Sequence, residues 1–191
     1  MAEVEDTTDH EEVEERSSEE RRLHHAMAMR LVRQFPDPAL RTPARPVEQV
    51  DDELRALAAR MTDVMEQAHG VGLAAPQLGI LRRLLVYRLA ADGEPRVIVN
   101  PELSDLSDET ETDSEGCLSL LGGEVQVPVA RSVRLVMTGL DGSGEPVRIE
   151  AEGLEARVLQ HEVDHLDGVL IFDRASKEDR RAVLRELRLR A

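Results

Sequence analysis

Apolar positions along the chain change their period several times, and each change marks an element. Residues 1–19 carry almost no apolar side chains among many acidic ones. A segment this polar buries too little surface to order itself and is expected to be a disordered extension, with a single domain over residues 20–191. Leu23, Ala26, Met27, Met29, Leu31 and Val32 then suggest a short helix from about Glu20. The stretch FPDPALRTPARPV (35–47) holds four prolines in 13 residues and is expected to be an extended, rigid connection. Asp51 or Asp52 can cap a second helix, in which Leu54, Leu57, Ala58, Met61, Val64, Met65 and Ala68 recur at helical spacing and Gly70 is the expected stop.

Beyond Gly70 the period shortens. Residues 83–89 and 96–99 read as strands joined through Asp92-Gly93. From Glu102 to Glu115 there are seven acidic residues and no basic one, which predicts a solvated loop or strand edge. Residues 125–129 and 132–139 alternate as strands, and the DGSG cluster at 141–144 turns the chain into a partner strand at 147–151. Residues 153–166 read as a helix closed by Gly168, and a last helix runs from about Ser176 to Arg190. No segment repeats, and strands and helices do not alternate as βαβ units. The expected class is α+β.

Composition narrows this picture. With 191 residues the chain has enough length for one domain with a substantial core. Aromatics make up 2% and Trp is absent, so the core must be built from Leu, Val, Ile, Ala and Met. The net charge is −15, of which residues 1–20 contribute −9. An acidic balance repels phosphates and argues against generic or sequence-specific nucleic-acid binding. The 23 arginines against a single lysine read as the mark of a GC-rich genome. No apolar run is long enough to span a bilayer, and the acidic N-terminus does not resemble a secretory signal. Cys117 is the only cysteine, so no intrachain disulfide can form. A cytoplasmic location is expected.

The chemistry concentrates in LQHEVDHLDG (159–168). His161 and His165 are four apart on a predicted helix and face the same way, so they can hold a metal while Glu162 works on a water. Two histidines leave a metal site incomplete. A third histidine at the metzincin spacing is excluded because position 171 is Ile. Glu178 and Glu186 could serve as in thermolysin-like sites, but both lie in the charged last helix. His10, His24, His25 and His69 have no metal-spacing relation to the pair. Cys117, in EGCLSL (115–120), remains the best candidate, and a Cys-His-His set leaves a fourth position open, as catalytic sites do. GVGLAAPQ (70–77) contains G-x-G-x-x-A, but a helix precedes it and Pro76 follows, so it reads as a tight strand rather than a dinucleotide loop.

GVGLAAPQ (70–77), EGCLS (115–119) and HEVDH (161–165), in that order over 96 residues, resemble the peptide deformylase family. The resemblance runs from about Arg30 to the last helix. It implies the deformylase fold, with antiparallel sheets packed around the helix that carries HEVDH. It implies one divalent metal on Cys117, His161 and His165, Fe²⁺ in the typical bacterial enzyme, with Zn²⁺, Ni²⁺ or Co²⁺ able to substitute. Glu162 would act as general base and acid, and the Gln77 amide and Leu118 N–H would donate to an oxyanion. The substrate would be an N-formyl-methionyl peptide lying beside Gly70, Val71, Gly72 and Glu115. Val71, Leu118, Leu154 and Val158 would form its methionine pocket. Some bacterial members dock on the ribosome through a basic C-terminal helix, and residues 174–190, with seven basic and three acidic residues, look similar. A capping helix with a solvated outer face is the competing expectation for that stretch. The chain departs from the common bacterial pattern at Leu120-Leu121-Gly122-Gly123 and near Glu124 and Val129, which touches the substrate rim and not the metal chemistry. A general metallopeptidase using the same H-E-x-x-H helix is the alternative activity.

Overall fold

The computed structural model describes the backbone of residues 5–190 and the side chains of residues 18–190. The expectation of disorder for residues 1–4 lies outside these. Helix α1 (Glu5–Leu31) begins upstream of Glu20, where the apolar pattern placed its start. Glutamate and arginine are good helix formers, and backbone propensity continues a helix where the apolar pattern has already stopped. The proline-rich link is not extended throughout: Pro38–Arg41 form a 3-10 turn, and the Asp37 carboxylate accepts from the Ala39 N–H at 2.8 Å to cap it.

Helix α2 (Asp52–Gln67) is capped by Asp51, which accepts from the Leu54 N–H. It ends at Ala68, and the residue that turns left-handed is His69 (φ 58°), not the glycine after it. Strands β1 (Gly72–Ala74), β2 (Leu84–Tyr87), β3 (Arg96–Ser104), β6 (Arg134–Leu140) and β7 (Pro146–Glu152) form an antiparallel sheet in the order β1-β2-β3-β6-β7. Strand β1 is therefore an edge. The acidic stretch contributes β4 (Thr110–Gly116), which pairs antiparallel with β5 (Gln126–Ser132) in a second, two-stranded sheet.

The reason β2 reads LLVY without alternation is that both its faces are covered. Leu84 and Val86 pack with Leu54, Ala58, Met61 and Met65 of α2. Leu85 and Tyr87, pointing the other way, pack with Leu159, Val163 and Leu166 of helix α3 (Gly153–Leu166). A third cluster joins Val127 and Val129 of β5 to Ile171 and Phe172 of the short helix α4 (Ile171–Arg174) and to Val183 and Leu187 of α5 (Lys177–Arg190). Cys117 and Leu120 belong to this cluster. Helix α3 thus lies between the large sheet and the β4–β5 hairpin. No helix among the described residues is long and apolar enough to cross a membrane.

Helix α3 has the predicted bounds, and its stop has a steric cause. Gly168 turns at φ +74°, and a Cβ there would come within 2.8 Å of the Arg41 carbonyl.

Tyr87 is buried, donates to Glu155 Oε1 at 2.8 Å and accepts from Arg96 at 3.2 Å. Burial, then the hydrogen bond to the Glu155 carboxylate, pushes its hydroxyl up to about 12. A folded value above the unfolded value of about 10 means that its contribution is complete below pH ~10 and is lost as pH rises toward 12. Tyr87 is the only tyrosine and there is no tryptophan, so ultraviolet absorbance follows it alone. Tyrosinate absorbance should appear near pH 12 in the folded protein and near pH ~10 in denaturant. Chemical denaturation should show about 2 kcal/mol of stability lost by pH ~12, a loss absent from Tyr87→Phe.

Candidate functional site

Three separate segments converge on one point of α3. His161 and His165 stand one turn apart with ring centroids 4.9 Å from each other. Cys117 follows the last residue of β4, and its Sγ lies 3.3 Å from His165 Nε2. Ligand atoms of Cys117, His161 and His165 all lie within 4.8 Å of one another, the only such group of three among the described residues. The 44-residue gap between the cysteine and the first histidine is closed by the β4–β5 hairpin packing on α3. Glu178 and Glu186 lie on α5 and are not part of the group.

Helix α3 buries Gln160, Glu162, Asp164 and His165, an expensive set of polar side chains for fourteen residues. Most are matched by partners. Glu115 accepts from Arg131 Nε and Nη2, both at 3.0 Å, and from Arg157 at 2.7 Å. Arg131 also pairs with Asp164, and Arg174 donates to Asp164 Oδ2 at 3.1 Å. Burial alone would raise the Glu115 carboxyl, but hydrogen bonds from His161 and Arg131 outweigh it and hold the group at about 2. An ionised carboxylate only accepts, so the 3.0 Å contact between Glu115 Oε2 and His161 Nδ1 places the ring proton on Nδ1. Nε2 of His161 is left for a metal, in the carboxylate–histidine arrangement common to metal sites. Glu115 was expected beside the substrate. It lines the cleft, and its carboxylate accepts from Arg131 and Arg157 and meets His161 Nδ1.

The donor set suits a cation. Burial, together with the charges of His161 and Arg131, lowers His165 well below the ordinary histidine value, so the ring is neutral and offers a lone pair. Burial also opposes charge on His161, but hydrogen bonds to Cys117 and Glu115 and the nearby Glu162 raise it to about 10. A sulfur with two imidazoles fits zinc or iron(II). Glu162 Oε2 and His165 Nδ1 are buried without a partner among the described residues, as befits a site that takes a ligand.

Glu162 faces this group from the next position on the helix. Burial raises its carboxyl to about 7, a value suited to taking and returning a proton near neutrality. Gly72 makes room for it: a Cβ there would come within 2.8 Å of the Glu162 carboxyl carbon. Gln77 lies in a 3-10 turn, Ala75–Leu78, directly after β1. Its Oε1 accepts from the Ala74 N–H at 2.9 Å, so Nε2 must point the other way, to Ser119 Oγ at 3.2 Å and Cys117 Sγ at 3.9 Å. No described acceptor takes the Leu118 N–H.

A cavity of about 520 Å³ opens over these groups. Gly70, Val71, Gly72, Leu118, Leu154 and Val158 all line it. Val158 is buried, whereas Val71 and Leu154 are exposed at the mouth. Sequence reasoning missed Asp164, Arg131, Arg157 and Arg174, because ion pairs between distant segments leave no local pattern. The one available signal was Asp164 inside HEVDH, a carboxylate on a buried face that needs a cation. His25 and His69, set aside as ligands, are not in the metal group, yet both line the cavity.

Comparison with known proteins agrees with this geometry. A family model of the polypeptide deformylases matches residues 29–181. The peptide deformylase of Acidothermus cellulolyticus is 49% identical over 162 residues, covering 85% of this chain and 87% of that protein. That of Chromohalobacter salexigens is 45% identical over 165 residues, covering 86% and 96%. The solved peptide deformylase from Legionella pneumophila superposes with a TM-score of 0.76 at 41% identity, over 82% of this chain and 91% of that one. The one from Synechococcus elongatus, in complex with actinonin, gives 0.76 at 38% identity over 81% and 84%. In sequence and in fold, therefore, the chain belongs to the peptide deformylase family.

Proposed function

We propose that residues 20–191 form a catalytic unit that hydrolyses the N-formyl group from formyl-methionyl peptides, releasing formate and a free amine. The observation that carries this reading is the position of the Gln77 amide, whose Nε2 donates to Ser119 Oγ at 3.2 Å and lies 3.9 Å from Cys117 Sγ, directly after the edge strand β1. A general metallopeptidase reading uses only His161, Glu162 and His165. It gives no role to Cys117 or Gln77.

A peptide extended along the edge of β1 pairs with backbone near Gly70 and Gly72, as an added strand. Its methionine side chain enters the apolar part of the cavity between Val71, Leu118, Leu154 and Val158. Cys117, His161 and His165 hold the metal, and we propose Fe²⁺, with Zn²⁺, Ni²⁺ or Co²⁺ as substitutes, because a thiolate adds softness to an otherwise imidazole site. When bound, the cation supplies Lewis-acid polarisation and lowers the pKa of water at the site. Glu162 takes a proton from the attacking water as the oxygen–carbon bond forms. The same carboxyl returns it to the amine nitrogen as the carbon–nitrogen bond breaks. Gln77 Nε2 and the Leu118 N–H donate to the oxyanion that develops on the formyl oxygen, each worth roughly 3–4 kcal/mol. We place this activity in the cytoplasm, where formylated chains are made. On α5, Val183 and Leu187 face the core and the arginines face outward, and we propose that this basic face contacts the ribosome.

Formate release from formyl-Met-Ala-Ser, with metal content measured on the same anaerobic sample, tests the reading directly. Release of amino acids from unformylated peptides, with none of formate, would support the metallopeptidase instead. Glu162→Gln should retain metal and lose at least about 100-fold in turnover. Cys117→Ala should lose metal on dialysis, and unchanged metal content would remove Cys117 as a ligand. Glu115→Gln should weaken metal affinity by about 10- to 100-fold, read by competition with a chelator, because His161 loses the charge that orients it.

A further inference from the structure

Residues 33–35, just past the end of α1, hydrogen-bond to both segments that carry the proposed oxyanion donors. The Arg33 N–H donates to the Gln77 carbonyl at 2.6 Å, and the Phe35 N–H donates to the Ser119 carbonyl at 3.0 Å. Between them, Gln34 Nε2 donates to the Leu118 carbonyl at 2.9 Å. A longer contact reaches the Val32 carbonyl at 3.4 Å. Both neighbours of this nitrogen are carbonyls, which only accept, so the amide can face them only with its amino end. Gln34 Oε1 is buried and meets no donor among the described residues, so the side chain is held here by its donor end alone. The stretch is anchored on either side. Val32 is buried with residues of α2 in the first core cluster, and Phe35 meets the Phe172 ring edge-on at 5.4 Å in the third.

The turn after Cys117 shows what this contact controls. The Cys117 carbonyl accepts from the Leu120 N–H at 2.8 Å. A trans peptide points its N–H opposite to its C=O, so this bond directs the Leu118 N–H away from Leu120, where no described acceptor takes it. The next peptide plane begins at the Leu118 carbonyl, and Gln34 holds it. With Phe35 on the Ser119 carbonyl, three successive carbonyls are fixed, two of them by residues 34 and 35. Cys117 alone does not fix this direction, because each peptide plane turns about its own soft dihedrals while the thiol stays in place. Gln34 does not line the catalytic cavity and is not in the metal group. We propose that Gln34 is a positioning residue: it sets the direction of the Leu118 N–H toward the developing oxyanion without touching substrate or metal. This inference rests on the deformylase reading above.

Gln34→Met keeps the length of the side chain and removes the donor. Gln34→Glu keeps its shape and, when ionised, cannot donate either. Formate release from formyl-Met-Ala-Ser is measured with metal content and melting temperature on the same samples. Both variants should lose about 10- to 100-fold in kcat, with kcat/KM falling by the same factor and metal content unchanged, because only a transition-state interaction is weakened. Gln34→Lys, which restores a donor, should recover most of the loss. In the zinc-loaded protein the Leu118 backbone amide resonance should shift in Gln34→Met and return in Gln34→Lys. Where Gln34→Met fails to fold, the near-isosteric Gln34→Glu decides alone. Unchanged kcat in both variants overturns the proposal, as does a Leu118 resonance that stays in place. A fall in kcat that follows lost metal would place the effect at Cys117, and a rise in KM alone would place it in substrate binding. Either result overturns it, and so does a loss that Gln34→Lys does not recover. Absence of formate from the unaltered protein would sink the deformylase reading itself, an outcome distinct from release that the Gln34 variants leave unchanged.

Discussion

The Glu115 carboxylate accepts from Arg131, Arg157 and His161 at once, and the catalytic architecture depends on that junction. Arg131 carries the connection on to Asp164, and Asp164 to Arg174. The chain therefore joins β4, β5, α3 and α4 through charges that are mostly buried. Taken alone, any one of these charges would be costly in a dry interior, and leaving one unpaired by removing its partner costs about 3–5 kcal/mol. Such a network stabilises little relative to apolar packing, but it tolerates few alternative arrangements. It holds the residue before Gly116-Cys117 in register with the helix that carries both histidines.

The cleft is formed by what the two sheets leave unfinished. β1 lies at the edge of the large sheet, and the β4–β5 hairpin stops before meeting it. Helix α3 runs between them and presents Glu162 upward against Gly72. Unpaired strand edges are usually a hazard, since they template further pairing. In this fold the free edge stands beside Glu162 and the Cys117, His161 and His165 group, the place the proposed activity gives an extended peptide. The buried carboxyl stands against this edge, and burial raises Glu162 to about 7.

Much of this was legible along the chain. The bounds of α3, the Asp51 cap and the pairing of β6 with β7 follow from apolar period and turn residues, which are local properties. The edge between Glu102 and Glu115 was read as solvated, and β4 is exposed at every position but Glu115. That exception was not visible, because the burial of Glu115 depends on Arg131 arriving from the next strand. Helix α4 escaped notice because four residues carry too little pattern.

By itself, the sequence determined the candidate groups for the chemistry: one cysteine, one histidine pair at helical spacing, the glutamate between them and a glutamine after a glycine-rich strand. It could do so because bond-scale chemistry requires particular residue types, and helical spacing converts two of them into one face. Only the tertiary structure decided how they are held. The contacts of Glu115 with Arg131 and His161, the direction of the Gln77 amide and the stacking of His25 on His69 all arise between residues 16 to 46 positions apart. Contacts at that separation are set by packing of whole elements, and packing leaves no period in the sequence.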